Sequence, residues 1–260
     1  MQNLISDITP LFRHPRFSYN TRLDTRLWDK DFHLDKLVSN ALQMAAWNYI
    51  VYLQRAGLPI SDECIVDIFI HGSSSNYYYD KSSDIDICIV ADLSAVQDMF
   101  KTADYNKVIK HVLASWHSKH HISICKRGID FEIVHVKTPR YGPGLYKVGG
   151  AYSLLQDKWI RTSVSLSTTE YRNIAYQARN IFKQWRYEYL SIVLCRPLNL
   201  NRVNAFLQHI TKARRHSYKC TPLQPITPET MAFRMFRRSG MWKRLRHHAK
   251  QLRSSEFCII

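Results

Sequence analysis

The chain has 260 residues, 45% of them hydrophobic, and a formal net charge of +16, enough length for one large domain or two modest ones with a real core. No apolar run approaches the ~20 residues of a membrane span, and Met1–Asp7 lacks the basic and apolar regions of a secretory signal, so a soluble, cytoplasmic protein is expected. Six scattered cysteines with no CxxC pair, and twelve histidines outside any HExxH or CxxC…HxxxH frame, argue for reduced thiols and against a zinc site.

Residues 1–31 carry mixed charge with Pro10 and Pro15 as breakers. They read as an irregular lead-in whose Arg13, Arg16, Arg22 and Arg26 are solvated or ligand-facing cations. Leu34, Leu37, Val38, Ala41, Leu42, Ala45, Tyr49, Tyr52 and Leu53 recur at helical spacing. With Asp31 near the N-cap and Gly57 then Pro59 as a stop, they predict a helix over 34–55 whose Trp47 and tyrosines belong to the core.

Next comes Cys64–Ile70, β-branched and aromatic, hence a strand. Gly72 ends it, and Ser73, Ser74 and Ser75 follow, small residues whose clustered backbone N–H groups suit phosphate oxygens. A second strand starts near Asp84. Strand alternation turns Asp84 and Asp86 to one face and Ile85, Ile87 and Ile89 to the other. Two adjacent carboxylates repel unless one is protonated or a cation bridges them, and an oxygen-only pair suits Mg²⁺ completed by substrate phosphates. Asp67 reads as a strand-edge charge, and Asp80 with Lys81 as a solvated turn.

An apolar strand, Gly72-Ser73, the spacer Ser74–Ser83 and then Asp84-Ile85-Asp86-Ile87 resemble the signature of the DNA polymerase β-like nucleotidyltransferase superfamily, which includes poly(A) and CCA-adding polymerases, antibiotic nucleotidyltransferases and second-messenger synthases. The resemblance implies that Asp84 and Asp86 bind Mg²⁺ (or Mn²⁺) and that Gly72, Ser73, Ser74 and neighbouring amides hold a nucleoside triphosphate. It also implies a third acid from a later strand. Ile122–Val136 reads as two strands joined at Arg127-Gly128, and Asp130 and Glu132 share a face there. Periodicity leaves both open; Glu132, deeper in the strand, is preferred and Asp130 is the alternative.

Leu93–Val108 reads as a helix with Val96, Met99 and Phe100 toward the core, with a further helical segment over Tyr105–His117. Strand, helix and returning strand make an α/β (α+β) unit with a mixed sheet. Thr138–Gly144 is a loop by composition. Gly128–Ile133 together with Ala151–Ile160 is similar to predicted nucleotidyltransferases of large tailed phages, a likeness covering residues 64–161 that implies a phage protein working in host cytoplasm.

The organisation expected is a catalytic core over residues 1–165 and a basic helical region over 166–260. Ser167 or Thr168 with Glu170 opens a long helix to Leu194, with Ile174, Ala178, Ile181, Trp185 and Tyr189 apolar and Arg172, Arg179, Lys183 and Arg186 on one broad face. In the superfamily a helical domain supplies cations for the triphosphate, which implies a nucleotide-binding role for Arg179 and Lys183. A helix over Asn201–Lys212 follows, then a linker with Pro222, Pro225 and Pro228. A last helix over Pro228–Arg253, interrupted at Gly240, carries a stripe of Trp242, Leu245, Ala249 and Leu252.

Residues 200–260 hold thirteen Lys or Arg against two Asp or Glu, a local +11. Such a charge points to a polyanion, nucleic acid first and an anionic membrane second. The function expected is a metal-dependent nucleotidyltransferase that moves a nucleoside monophosphate from an NTP to a hydroxyl acceptor. The preferred acceptor is RNA, such as a tRNA 3′ end, bound by basic residues over 200–253. The alternatives are a small-molecule or protein nucleotidyltransferase, a nucleotide second-messenger synthase, and a non-catalytic nucleic-acid-binding protein.

Overall fold

The computed structural model describes residues 20–80, 83–101, 104–137, 149–195, 197–220 and 226–256. Arg13, Arg16, Lys81, the loop over Thr138–Gly144, Pro222, Pro225 and Cys258 lie outside them. The described residues form an α+β protein of two compact units, 20–165 and 166–256.

The first unit is built on six strands, β1 (Ile65–His71), β2 (Ile85–Ala91), β3 (Ser123–Ile124), β4 (Arg127–His135), β5 (Ala151–Ser153) and β6 (Lys158–Arg161). They form one mixed sheet in the order β3-β4-β2-β1-β5-β6. β2 and β4 are parallel while β1–β2, β1–β5, β3–β4 and β5–β6 are antiparallel. Parallel neighbours need a long crossover, and here it contains α2 (Ser94–Met99) and α3 (Tyr105–Lys119).

Period-two alternation decides which face each side chain takes. Ile68, Ile70, Ile85, Ile87, Ile89, Ile129, Phe131 and Ile133 join one core with the helices, while Phe69, Cys88, Val90 and Ala151 cluster on the opposite face. Helix α1 (Lys36–Arg55) covers the first face through Val38, Leu42, Ala45, Tyr49, Ile50 and Leu53. Tyr49 stacks on Phe131 at 5.3 Å between ring centres and meets Trp116 of α3 edge-on at 5.4 Å. Each fully buried aliphatic side chain here contributes ~1.5–3 kcal/mol.

Helix boundaries follow the caps. α1 starts at Lys36 rather than at 34, because Asp35, and not Asp31, accepts from the Leu37 and Val38 amides at 2.9 and 3.1 Å. The helix expected over 93–108 is shorter: α2 stops at Met99, and α3 restarts behind Asp104, whose carboxylate caps the Asn106 amide. Met99 is therefore exposed while Val96 stays buried. The β3–β4 turn lies at Cys125-Lys126 instead of Arg127-Gly128. Both turn residues have positive φ, 52° and 61°, as a two-residue turn matching the strand twist requires, and Arg127 enters the strand as a buried residue.

The second unit holds α4 (Thr168–Val193), α5 (Leu200–Cys220), α6 (Pro228–Arg238) and α7 (Met241–Glu256). Ser167 and Glu170 form a capping box at the start of α4, and Thr227 with Pro228 starts α6. α5 runs well past Lys212, through Arg214 and Arg215. Gly240, with φ 84°, separates α6 from α7. Phe236 sits at the centre, with Trp185, Tyr189 and Phe206 edge-on to it at 6.3, 6.1 and 5.9 Å. Phe182 carries the buried position on α4 next to Ile181, which is only half-buried. Leu245 and Ala249 of the α7 stripe are buried. Among the described residues no helix is long and apolar enough to cross a membrane.

Candidate functional site

β1 breaks at Gly72, whose φ of 74° is open to glycine at no cost, and Gly72–Ser75 turns through one short 3₁₀ stretch. The turn is held from several sides. Ser74 Oγ donates to the Asp84 carbonyl at 2.9 Å and Ser75 Oγ to the Gly150 carbonyl at 2.7 Å. Asn76 Nδ2 donates to the Gly72 carbonyl, while Asn76 Oδ1 accepts from the Gly150 amide at 2.9 Å and from Ser163 Oγ at 2.8 Å. Trp28 Nε1 donates to the Ser74 carbonyl at 2.8 Å. Ser73, Ser74, Ser75 and Asn76 are all buried. The Ser74 hydroxyl therefore ties the turn to the Asp84 carbonyl.

The carboxylates stand beside this turn. Asp86 lies on β2 and Asp84 immediately before it; Asp84 is exposed and Asp86 half-buried. A Cβ on Gly72 would collide with Asp86 Oδ2 and stand 2.8 Å from its Cγ, and one on Gly128 would stand 3.4 Å from Asp84 Oδ1. Each aspartate thus packs against a glycine of a neighbouring segment. That close approach explains Gly72, whereas the 3.4 Å at Gly128 is ordinary van der Waals contact.

Strand register decides which later acid is nearest. Across β1, β2 and β4, His71 pairs with Asp86 and Asp86 with Asp130, whereas Glu132 pairs with Cys88, two residues further along. The Asp130 side chain is 68% exposed, with His117 Nε2 3.9 Å away. Glu132 is 43% exposed and its Oε1 lies 3.4 Å from His71 Nε2. Burial lowers the His71 pKa, against the opposing pull of Glu132, so the imidazole is neutral near pH 7. Burial, and then the Glu132 charge, raises the Cys88 thiol. Glu132 is thereby the centre of a small polar group with His71 and Cys88.

Among the described residues, no three His, Cys, Asp or Glu side chains stand together in a metal-holding group. What the site does offer is oxygen donors at the ends of adjacent strands. Such a set fits a hard cation completed by ligand oxygens better than a closed protein cage.

Asp24 and Arg127 escaped the sequence reading. Arg127, fully buried, donates to the Asp24 carboxylate and, at 2.8 Å, to the Ser83 carbonyl next to Asp84. Arg26 adds hydrogen bonds to Asp24 at 3.0 and 2.9 Å, and the Tyr79 ring lies 5.6 Å from the Arg127 guanidinium. Within the described part of the supposed lead-in, Asp24 and Arg26 thus hold Arg127 on the segment before Asp84. Asp67 departs from expectation as well: β1 is flanked by β2 and β5, so Asp67 is no edge residue. It is buried, accepting from Ser153 Oγ at 2.7 Å and from the Ile68 amide at 2.8 Å.

Gly72, Ser73, Ser74, Asp84, Asp86, Asp130 and Glu132 all belong to the sheet unit. Arg179 and Lys183 belong to the helical unit, exposed on α4. In the basic C-terminal region Arg202, Lys212, Arg215, Arg237, Lys243, Arg246, Lys250 and Arg253 are exposed, and Arg214 lies over the Phe233 ring at 4.2 Å. The chain matches no protein-family model, no curated protein and no solved structure.

Proposed function

We propose that the protein is a metal-dependent nucleotidyltransferase that moves a nucleoside monophosphate from an NTP to a hydroxyl of RNA and releases pyrophosphate. One observation carries this reading. Asp86 is in register with Asp130 across the parallel strands β2 and β4, Asp84 stands immediately before β2, and Asp86 packs against the bare Cα of Gly72 at the Gly-Ser turn.

Asp84, Asp86 and Asp130 would hold Mg²⁺ or Mn²⁺, which when bound offsets the triphosphate charge and eases loss of the acceptor proton. Asp130 is chosen over Glu132 because it is in register with Asp86. The acceptor oxygen forms a bond to the α-phosphorus as the bond to the bridging oxygen breaks, the pyrophosphate leaves with the bonding electrons, and the acceptor proton passes to a carboxylate of this set. RNA is the preferred acceptor because exposed Lys and Arg of α5–α7 offer far more phosphate contacts than one nucleotide uses.

A second reading, a non-catalytic nucleic-acid-binding protein, is favoured by the lack of a three-residue metal-holding group among the described residues. The experiment that separates them supplies each α-labelled NTP with Mg²⁺ and total RNA, and follows both RNA labelling and pyrophosphate release. Asp86→Asn and Asp130→Asn are expected to lose roughly 10²-fold or more with the far-ultraviolet circular dichroism unchanged, and Glu132→Gln far less. Pyrophosphate release without RNA labelling would move the acceptor to a small molecule or protein. An undiminished rate in Asp86→Asn, or no release in the wild type, would refute the enzyme reading.

A further inference from the structure

Helix α4 carries two tyrosines that its packing does not use. Tyr176 and Tyr187 are 66% and 67% exposed, while the buried side of the helix is formed by Ile174, Ala178, Phe182, Trp185 and Tyr189. Arg172, Arg179 and Lys183 are exposed too. In steps of four, three, four and four residues, Arg172, Tyr176, Arg179, Lys183 and Tyr187 fall on one stripe of the helix. The two acids of α4, Glu170 and Glu188, lie about 140° away round the axis at 3.6 residues per turn. Glu170 is moreover held by Ser167 in the capping box.

We propose that this stripe of α4 binds single-stranded nucleic acid, with bases stacked on Tyr176 and Tyr187 and backbone phosphates paired with Arg172, Arg179 and Lys183. Charge complementarity selects a polyanion. The exposed rings select one with unstacked bases, since a base face can lie on a tyrosine only where it is not already stacked in a duplex. The three cations extend over twelve residues, about 16 Å of helix, which suits successive phosphates of a strand better than one triphosphate. This surface stands independently of the transfer chemistry proposed above. It requires no catalysis.

The test uses the full chain and fluorescence anisotropy with a labelled oligouridylate of about 20 nucleotides, longer than the ~4–16 of a single-domain site, beside an RNA duplex of the same length. Tyr176→Ala/Tyr187→Ala is expected to weaken oligouridylate binding at least ~10-fold and to leave duplex binding within about a factor of two. Tyr176→Phe/Tyr187→Phe should bind as the wild type does, because the ring and not the hydroxyl is used. Arg172→Ala/Arg179→Ala/Lys183→Ala should reduce the slope of log K against log salt by about 2. The proposal is overturned if the alanine pair binds oligouridylate normally, or if it loses duplex and single strand alike. It is also overturned if the rings matter only for sedimentation with phosphatidylserine vesicles, which would mark a membrane surface.

Discussion

Replacing Gly72 by Ala tests whether the Gly-Ser turn and Asp86 are one mechanical unit. Gly57 supplies an internal reference: its φ is 85°, close to the 74° of Gly72, but a Cβ added to Gly57 meets nothing within 4 Å. Gly57→Ala should therefore cost only the left-handed backbone term, about 1–2 kcal/mol. Gly72→Ala adds a collision with Asp86 Oδ2 and a Cβ–Cγ distance of 2.8 Å. Restoring ordinary carbon contact near ~3.5 Å moves the carboxylate carbon by at least about 0.7 Å and Oδ2 by more, while β2 is held between β1 and β4. Overpacking of this kind costs ~1–3 kcal/mol, so the total is about 2–5 kcal/mol by urea denaturation. Under the transferase reading proposed above, pyrophosphate release should fall by a comparable factor, because a misplacement of about 1 Å can cost 10²-fold in rate. Gly72→Ala/Asp86→Ala should recover most of the excess instability, a coupling of ~1–3 kcal/mol. Equal destabilisation of Gly57→Ala and Gly72→Ala would refute the reasoning.

Arg127→Met leaves the buried Asp24 carboxylate with Arg26 as its remaining arginine partner and frees the Ser83 carbonyl, and should cost ~1–3 kcal/mol in urea denaturation, whereas Asp24→Asn/Arg127→Met should cost clearly less; equal losses would show that the pair does not act as a unit. Burial pushes the Asp24 pKa up, but hydrogen bonds from Arg26 and the Arg127 charge outweigh it and the carboxyl ends below its ordinary value. A lowered folded-state pKa stabilises above the unfolded value of ~3.9 and is lost as pH falls through the folded one. The wild type should thus lose more stability than Asp24→Asn on acidification below about pH 4, a difference readable from thermal melts. Thiol labelling at pH 8 should be rapid at the exposed Cys195 and Cys220 and absent at buried Cys88, whose thiol is held protonated, until denaturant is added; fast native-state labelling of Cys88 in mass-mapped peptides would contradict its placement in the sheet.

Much of this molecule is legible along the chain because local rules act over a few residues. Alternation told which faces of Cys64–Ile70 and Ile85–Ile89 turn to the core, Gly72 marked the end of β1, Ser167 and Glu170 marked the start of α4, and Gly240 marked the break between α6 and α7. Periodicity could not choose between Asp130 and Glu132, since both lie on one face of β4. The choice nearest Asp86 comes from the parallel β2–β4 register, which a chain segment does not encode by itself. The turn at Cys125-Lys126 was misplaced because neither residue is a glycine and their positive φ is imposed by strand pairing. Asp67 looks like an edge charge in the sequence, but folding brings Ser153 of β5 to its carboxylate.

The amino-acid sequence alone determined the strand-turn-strand unit that carries Gly72, Asp84 and Asp86, and the concentration of positive charge in the C-terminal helices. Only the tertiary structure decided that Asp24 and Arg127, 103 residues apart, clamp the segment before Asp84, and that Asn76 and Gly150 lock the turn. A buried charge or amide finds its partner wherever folding brings one within hydrogen-bond reach, and sequence distance carries no information about that meeting.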